Sequence, residues 1–380
     1  MAVITYYWST SAAGSGDGTS WANRAALLSG GSFSGTFQDI DHGADTILHY
    51  VGPGTYNISV ALNTASFSEA APGITCPAIF HACDSSGNAW SPPSPNWCSA
   101  EPVWDTSTMP VFAFSSTGQI NLTHFVMRGF VVSQSGTVVP LVGGRVFDWC
   151  VVSSSYSNAA AQCINTVSGT VSNTVATLTG ATNGACLNMS GLGTVNNCRC
   201  IGNPAASAGN RSGLQIATGA ATLSTVVQKN TIINCTVGIN CTNATGTILN
   251  IINNVVYNCT TGIAISNTTV TAIGRIAGNM IIGSGSGSAF TSSFLHGLIN
   301  NRLRGWSTNF PAGFNNWPAS SFNITASGSD ADEFVNVGTG DYRIKATSTY
   351  AGKQIGAGDE VAAGASGIIV HPGFGGGFRS

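Results

Sequence analysis

Charge is what this chain lacks. Asp, Glu, Lys and Arg together make up 7% of its 380 residues, with a formal net charge of −2, against about 25% charged residues in an ordinary soluble domain. Hydrophobic content is a normal 43%, so a core-poor, highly charged disordered chain is excluded. So few cations offer no basic surface, and nucleic acid is not an expected partner. No apolar run approaches the ~20 residues that cross a bilayer, so no membrane partner is expected either. The N-terminus has no Lys or Arg before Arg24 and reads as no secretory signal.

The scarcity is uneven. From Trp149 to Ser329, nearly half the chain, there is no Asp or Glu, while Arg199, Arg211, Lys229, Arg275, Arg302 and Arg304 remain. Prolines are skewed too: seven of thirteen lie between Pro72 and Pro110, and only Pro204 falls between Leu141 and Phe310. The middle of the chain is one compositional unit.

In place of charge there are 48 glycines and abundant Ser, Thr and Asn, and the middle unit repeats. Asn230-Thr-Ile-Ile-Asn234, Asn254-Val-Val-Tyr-Asn258, Asn279-Met-Ile-Ile-Gly283 and Asn301-Arg-Leu-Arg-Gly305 share one pattern, with weaker copies at Asn173 and Asn197. The leading asparagines recur at nearly even intervals. Only the step from Asn197 to Asn230 is longer, and a polar insertion at Asn203–Ser212 accounts for the excess. Each repeat holds short β-branched runs between turn residues, with no helical period. A unit this short cannot close its own core, so neighbours must stack. The expected architecture is all-β: a parallel β-helix with Asn173, Asn197, Asn230, Asn254, Asn279 and Asn301 as a structural ladder at one corner. Cys235 and Cys259 occupy equivalent positions in successive repeats and are expected to stack in the core as small hydrophobes.

The boundaries expected from composition are an N-terminal cap and first coils over 1–70, and a Pro/Trp/Cys-rich insertion over 71–115. Regular coils over 116–310, a C-terminal coil or cap over 311–362 and a Gly-rich arm over 363–380 follow. Further features carry the likeness to a known group. Gly14-Ser-Gly-Asp-Gly-Thr-Ser-Trp21 opens the chain, Gly43-Ala-Asp45-Thr-Ile-Leu precedes Gly52-Pro-Gly-Thr-Tyr56, and Asp341-Tyr-Arg-Ile-Lys precedes Ile355-Gly-Ala-Gly-Asp359. With the repeats, these make the chain resemble the right-handed parallel β-helix, pectate-lyase-like superfamily, which includes polysaccharide lyases, phage tailspikes and virion decoration proteins. The resemblance implies the fold and a last coil near Asp341; it says little of activity.

Chemistry is tested by carboxylates. Glycoside hydrolysis normally needs two, ~5–9.5 Å apart, and calcium sites need several oxygen ligands. The acid-free coils offer neither, leaving Asp105, Asp148 and the terminal acids. No residue is therefore assigned as catalytic, cofactor-binding or metal-ligating. Cys76, His81, Cys83 and Cys98 match no regular zinc spacing, and free thiols are expected there, with a Cys83–Cys98 disulfide as the alternative. His49 reads as a satisfied core histidine. Trp90, Trp97 and Trp104 are candidates for contact with a glycan or a partner subunit. Ile368, Ile369, Val370, Phe374 and Phe378 are spaced along the C-terminal arm as candidate interface residues.

Together these features point to a structural protein of a tailed-phage virion, made in the host cytoplasm and decorating or cementing the capsid. Its expected partners are itself, as a homotrimer, and a major capsid protein. The alternatives are a tailspike or polysaccharide lyase acting on a bacterial surface glycan, and a surface adhesin.

Overall fold

The computed structural model describes residues 3–27, 45–63, 77–92, 105–156, 161–180, 184–191, 193–203, 211–217, 224–242, 248–266, 275–292, 297–310, 324–325, 329–345 and 347–348. Trp97, Trp104, Cys76, Cys98 and the arm residues Ile368, Ile369, Val370, Phe374 and Phe378 lie outside them, as does most of the insertion at 203–212.

The chain winds as a parallel β-helix. A first sheet of 12 strands pairs in parallel from Val3–Ser9 through Thr46–Val51, Ala78–Ala82, Phe125–Arg128 and Val146–Asp148 to Gly297–Ile299. A further 18 strands form two stacks. A second sheet runs from Gly54–Ile58 through Val151–Ser154, Arg199–Ile201 and Arg302–Arg304 to Ile324–Thr325, and a third runs from Leu62–Asn63 through Gly184–Met189 to Val237–Thr242. Val255–Ser266 and Met280–Ser292 are long enough to pass through the corner and belong to both.

Alternation sets which side chains enter the core. In the first sheet the inward column reads Phe80, Met127, Phe147, Val171, Val195, Val227, Ile251 and Ile276, all buried. The second sheet contributes Tyr56, Phe112, Val132, Val152, Ala176, Cys200, Ile232, Val256, Ile281 and Leu303, and the third Ile120, Leu141, Ile164, Leu187, Leu214 and Ile239. Aromatic rings fill the first coils and branched aliphatics the later ones. His49 joins the aromatic end: it lies 5.0 Å from the Phe80 ring and 6.2 Å from Tyr6, and its Nδ1 accepts a hydrogen bond from Trp8 Nε1 at 3.2 Å.

The corner between the first and second sheets carries two asparagine columns. The outer one holds the left-handed residue that turns the chain. Trp149, Asn173, Asn197, Lys229, Asn253 and Asn300 all have φ between 48° and 56° there, with Gly129 and Gly278 at equivalent positions. Asparagine tolerates this conformation because its side chain hydrogen-bonds locally. The next residue points inward, and Asn230, Asn254, Asn279 and Asn301 stand in that column, 0–1% exposed. The Nδ2 groups of Asn230, Asn254 and Asn279 each donate to the next Oδ1 at 2.9–3.0 Å, all four Nδ2 groups donate to a carbonyl of the first sheet, and each Oδ1 accepts a backbone N–H of the coil before. Asn173 and Asn197 do not belong to this ladder. They lie one residue earlier, in the outer column, where Asn197 Nδ2 donates to Asn173 Oδ1 at 2.7 Å; Thr174 and Cys198 take the inward places. Cys198 N donates to Asn230 Oδ1 at 2.9 Å, so the insertion before Asn230 leaves the register of the corner intact.

The C-terminal segment is not another rung. Phe334–Asn336 and Asp341–Ile344 form a separate antiparallel pair after one helical turn, Asp330–Glu333. This hairpin lies on the outer face of the second sheet, where Phe334, Tyr342 and Ile344 pack with Ile233, Val255, Met280 and Ile282 in a second small core. The stretch that resembles a last coil is thus a clasp laid across earlier ones. Its anchors are charged: Arg302 pairs with Glu333, both almost fully buried, Arg304 pairs with Asp330, and Arg199 donates to Gly340 O and lies over Tyr342.

Candidate functional site

The outer face of the first sheet gathers the chemistry of the early coils. Strand register aligns Tyr7, Tyr50, His81, Arg128 and Asp148 in one column, at the ordinary spacing of paired strands, about 4.8 Å. The Tyr7 and Tyr50 rings stack at 5.3 Å and 17°, and the His81 ring lies 5.6 Å from Tyr50. His81 Nδ1–H donates to Ala82 O at 2.7 Å. Burial holds its pKa below the ordinary histidine value, so the ring is neutral near pH 7.

Asp148 is the last acid before the acid-free stretch, and its oxygens are taken. Oδ1 accepts Ser172 Oγ and Asn173 Nδ2, both at 2.8 Å, and Oδ2 lies 3.3 Å from Arg128 Nε. The chain of contacts continues through Asn173 to Asn197. Beside it Trp149 holds the left-handed corner at φ 55°, a costly conformation for a bulky residue. Arg128 keeps 46% of its side chain exposed. The column therefore presents two stacked phenols, a neutral imidazole and a guanidinium fixed by a carboxylate. Such a set can bind a ligand with a ring face and hydroxyl or acidic groups.

Nothing among the described residues around it forms a proton-transfer pair. Asp17, Asp84 and Asp105 sit in exposed turns, each holding its own loop: Asp17 accepts Thr19 N at 2.9 Å, Asp84 accepts Ser86 N at 2.8 Å, and Asp105 accepts Ser107 N at 3.0 Å. These side-chain and backbone hydrogen bonds hold all three carboxyls below the usual range, the reverse of what a general acid needs. Among the described residues no group of three His, Cys, Asp or Glu side chains is placed to hold a metal ion.

The remaining candidates are structural in their surroundings. Trp90 is 7% exposed and its Nε1 donates to Thr108 Oγ1 at 3.1 Å, which leaves no free ring face for a sugar. Cys235 and Cys259 are buried, with Sγ atoms 3.4 and 3.5 Å from the carbonyls of Ile233 and Tyr257. Cys83, Cys150, Cys163, Cys186, Cys198, Cys200 and Cys241 are likewise free and buried. Burial pushes the Cys83, Cys150, Cys198 and Cys241 thiols up to about 12.

A further column escaped the sequence reading. The outer positions of the third sheet read Asn63, Asn121, Val142, Asn165, Asn188, Gln215 and Asn240 in continuous register. Unequal spacings between the last four, in a chain rich in asparagine, hide it.

No protein-family model and no curated protein matches the chain. Among solved structures, the crystal structure of pectate lyase Pel9A is similar, with a TM-score of 0.56 and 14% identity over 89% of this chain and 84% of that one. Identity this low speaks for fold alone. With the sheet topology, it establishes the fold, a right-handed parallel β-helix.

Proposed function

We propose that this protein is a non-hydrolytic structural β-helix of a tailed-phage virion, a stiff uncharged shaft that decorates or cements the capsid surface. In this reading it works as a homotrimer on a major capsid protein. The observation that carries the structural half is the state of Asp148. It is bound by Arg128, Ser172 and Asn173, and no acid follows it until Asp330. The virion placement is our inference from composition and resemblance. Mass spectrometry of purified particles tests it: a stoichiometric copy number supports the reading, and absence from particles removes it.

The second reading is glycan binding with or without cleavage, favoured by the stacked Tyr7 and Tyr50 beside His81 and Arg128. The name of the similar solved structure, a pectate lyase, leans the same way. Incubation with a panel of bacterial polysaccharides and acidic plant glycans separates the two. Released reducing ends or unsaturated products that vanish in Asp148→Asn would establish an enzyme and overturn the structural reading.

A further inference from the structure

We propose that the outer face of the second sheet, beyond the tip of the clasp, is the docking surface for the C-terminal arm of the same chain, residues 363–380. The hairpin runs from Arg302, which pairs with Glu333, to Arg199, which donates to Gly340 O. Beneath it the outward side chains are apolar: Ile233, Val255, Met280 and Ile282 pack against Phe334, Tyr342 and Ile344. The apolar strip does not stop at the tip. Register carries the outward column from Arg199 to Val175, Val151, Val131 and Val111. Val175 is buried, and the other three are half-buried on the outside of the sheet. These valines prolong the face that the chain's own C-terminal segment already covers.

Reach, charge and spacing select the arm as the occupant. Lys345 N donates to Glu333 O at 2.8 Å, so the chain leaves the hairpin beside Arg302, six strand steps from Val151. That is about 29 Å at the ordinary strand spacing, and the backbone from Ser348 to Ile368 can span about 66 Å. From Val361 to Ser380 there is no Asp, Glu or Lys, and Arg379 is the one arginine, so the arm is as neutral as the valine column. Ile368, Val370, Phe374 and Phe378 all fall at even positions, and alternate residues of an extended chain face one way. Extended, Phe374 and Phe378 stand about 13 Å apart, close to the about 14 Å from Val111 to Val175. Gly373, Gly375, Gly376 and Gly377 lie around them and let a backbone approach the sheet closely. Covering the valines with this segment removes apolar surface of both from water. The contact lies within one chain and needs neither a second copy nor a particle, so it goes beyond the virion reading.

The test is maleimide labelling of the purified full chain carrying Val131→Cys, with peptide mass spectrometry reading position 131 alone. Adding Phe374→Ser and Phe378→Ser is expected to speed labelling there at least about tenfold, the signature of a cover that opens more often. Val126→Cys, half-buried on the outer face of the first sheet, is the control, and its labelling should not respond to the phenylalanine substitutions. Protection at position 131 should also hold across an about hundredfold dilution, as a contact within one chain requires. Far-UV circular dichroism and the melting temperature check the fold, and if Val131→Cys unfolds, Val151→Cys takes its place. Labelling indifferent to both phenylalanine substitutions overturns the proposal. So does equal acceleration at position 126, which reports general loosening, and so does protection lost on dilution, which assigns the cover to another copy. Particle recovery is a separate readout, so failure here leaves the virion reading standing.

Discussion

Replacing Asn254 by Ala removes the centre of the inward ladder. The side chain is 0% exposed and makes hydrogen bonds in every direction. It donates to Val227 O at 3.0 Å and Asn279 Oδ1 at 2.9 Å, and it accepts the backbone N–H and the Nδ2–H of Asn230, both at 3.0 Å. Alanine strands three groups: the Val227 carbonyl, the Asn230 N–H and one Asn230 amide proton. Asn279 Oδ1 still receives the backbone N–H of residue 254. Each stranded group costs about 1–3 kcal/mol when buried. Relaxation trims the sum to about 3–6 kcal/mol, a large share of the ~5–15 kcal/mol that holds a typical domain folded. The chain contains its own control. Thr174 stands in the same column, where its hydroxyl accepts Cys150 N at 3.4 Å and donates to Ser172 O at 2.7 Å. Asn254→Thr should therefore lose about half as much. Urea unfolding followed by tryptophan fluorescence reads both. A loss below about 1 kcal/mol for Asn254→Ala, or a threonine variant as unstable as the alanine one, would refute the ladder argument.

Three other outcomes are expected. Lys229 is exposed and held at φ 55°, so Lys229→Asn should raise stability by up to about 1 kcal/mol in the same urea assay. Glu333→Ala removes the carboxylate that the buried Arg302 pairs with; a loss of about 3–5 kcal/mol, with faster amide exchange confined to residues 329–345, is the expected signature. Cys150, Cys198 and Cys241 have folded pKa values raised to about 12 by burial, against ~8.5 in an unfolded chain. Between those values the native state holds more protons than the unfolded one, so stability is full below about pH 8.5 and falls as pH rises toward 12. A flat profile across that window in alkaline urea titrations would count against the buried thiols.

The fold was legible because the repeat is written in two signals that agree: β-branched runs and asparagine corners. Register was legible only in part. Asn253-Asn254 and Asn300-Asn301 place one asparagine in the left-handed turn and the next in the ladder, and a lone asparagine does not say which of the two places it fills. Asn173 and Asn197 take the turn because Thr174 and Cys198, small enough for the interior, follow them. The column around Asp148 could not be read either, since Tyr7, Tyr50, His81 and Arg128 are brought together by coils of unequal length. The acids returning at Asp330 were plain in the composition. That their hairpin faces back across earlier coils was not, because the contacts of Arg199 with Gly340 and of Arg302 with Glu333 are set by packing rather than by any local pattern.

The division of charge has a consequence for a growing chain. While residues 149–329 emerge, no acid among them can trap a slipped coil by pairing with the wrong arginine. Arg302 and Arg304 find their carboxylates only when Glu333 and Asp330 arrive. A polypeptide released early, before Asp330, would carry uncompensated cations beside the bared Ile233, Val255, Met280 and Ile282. Such a fragment has no net charge, with nine acidic and nine basic residues, and a bared apolar face, a state that distinguishes the unfinished product from the finished one.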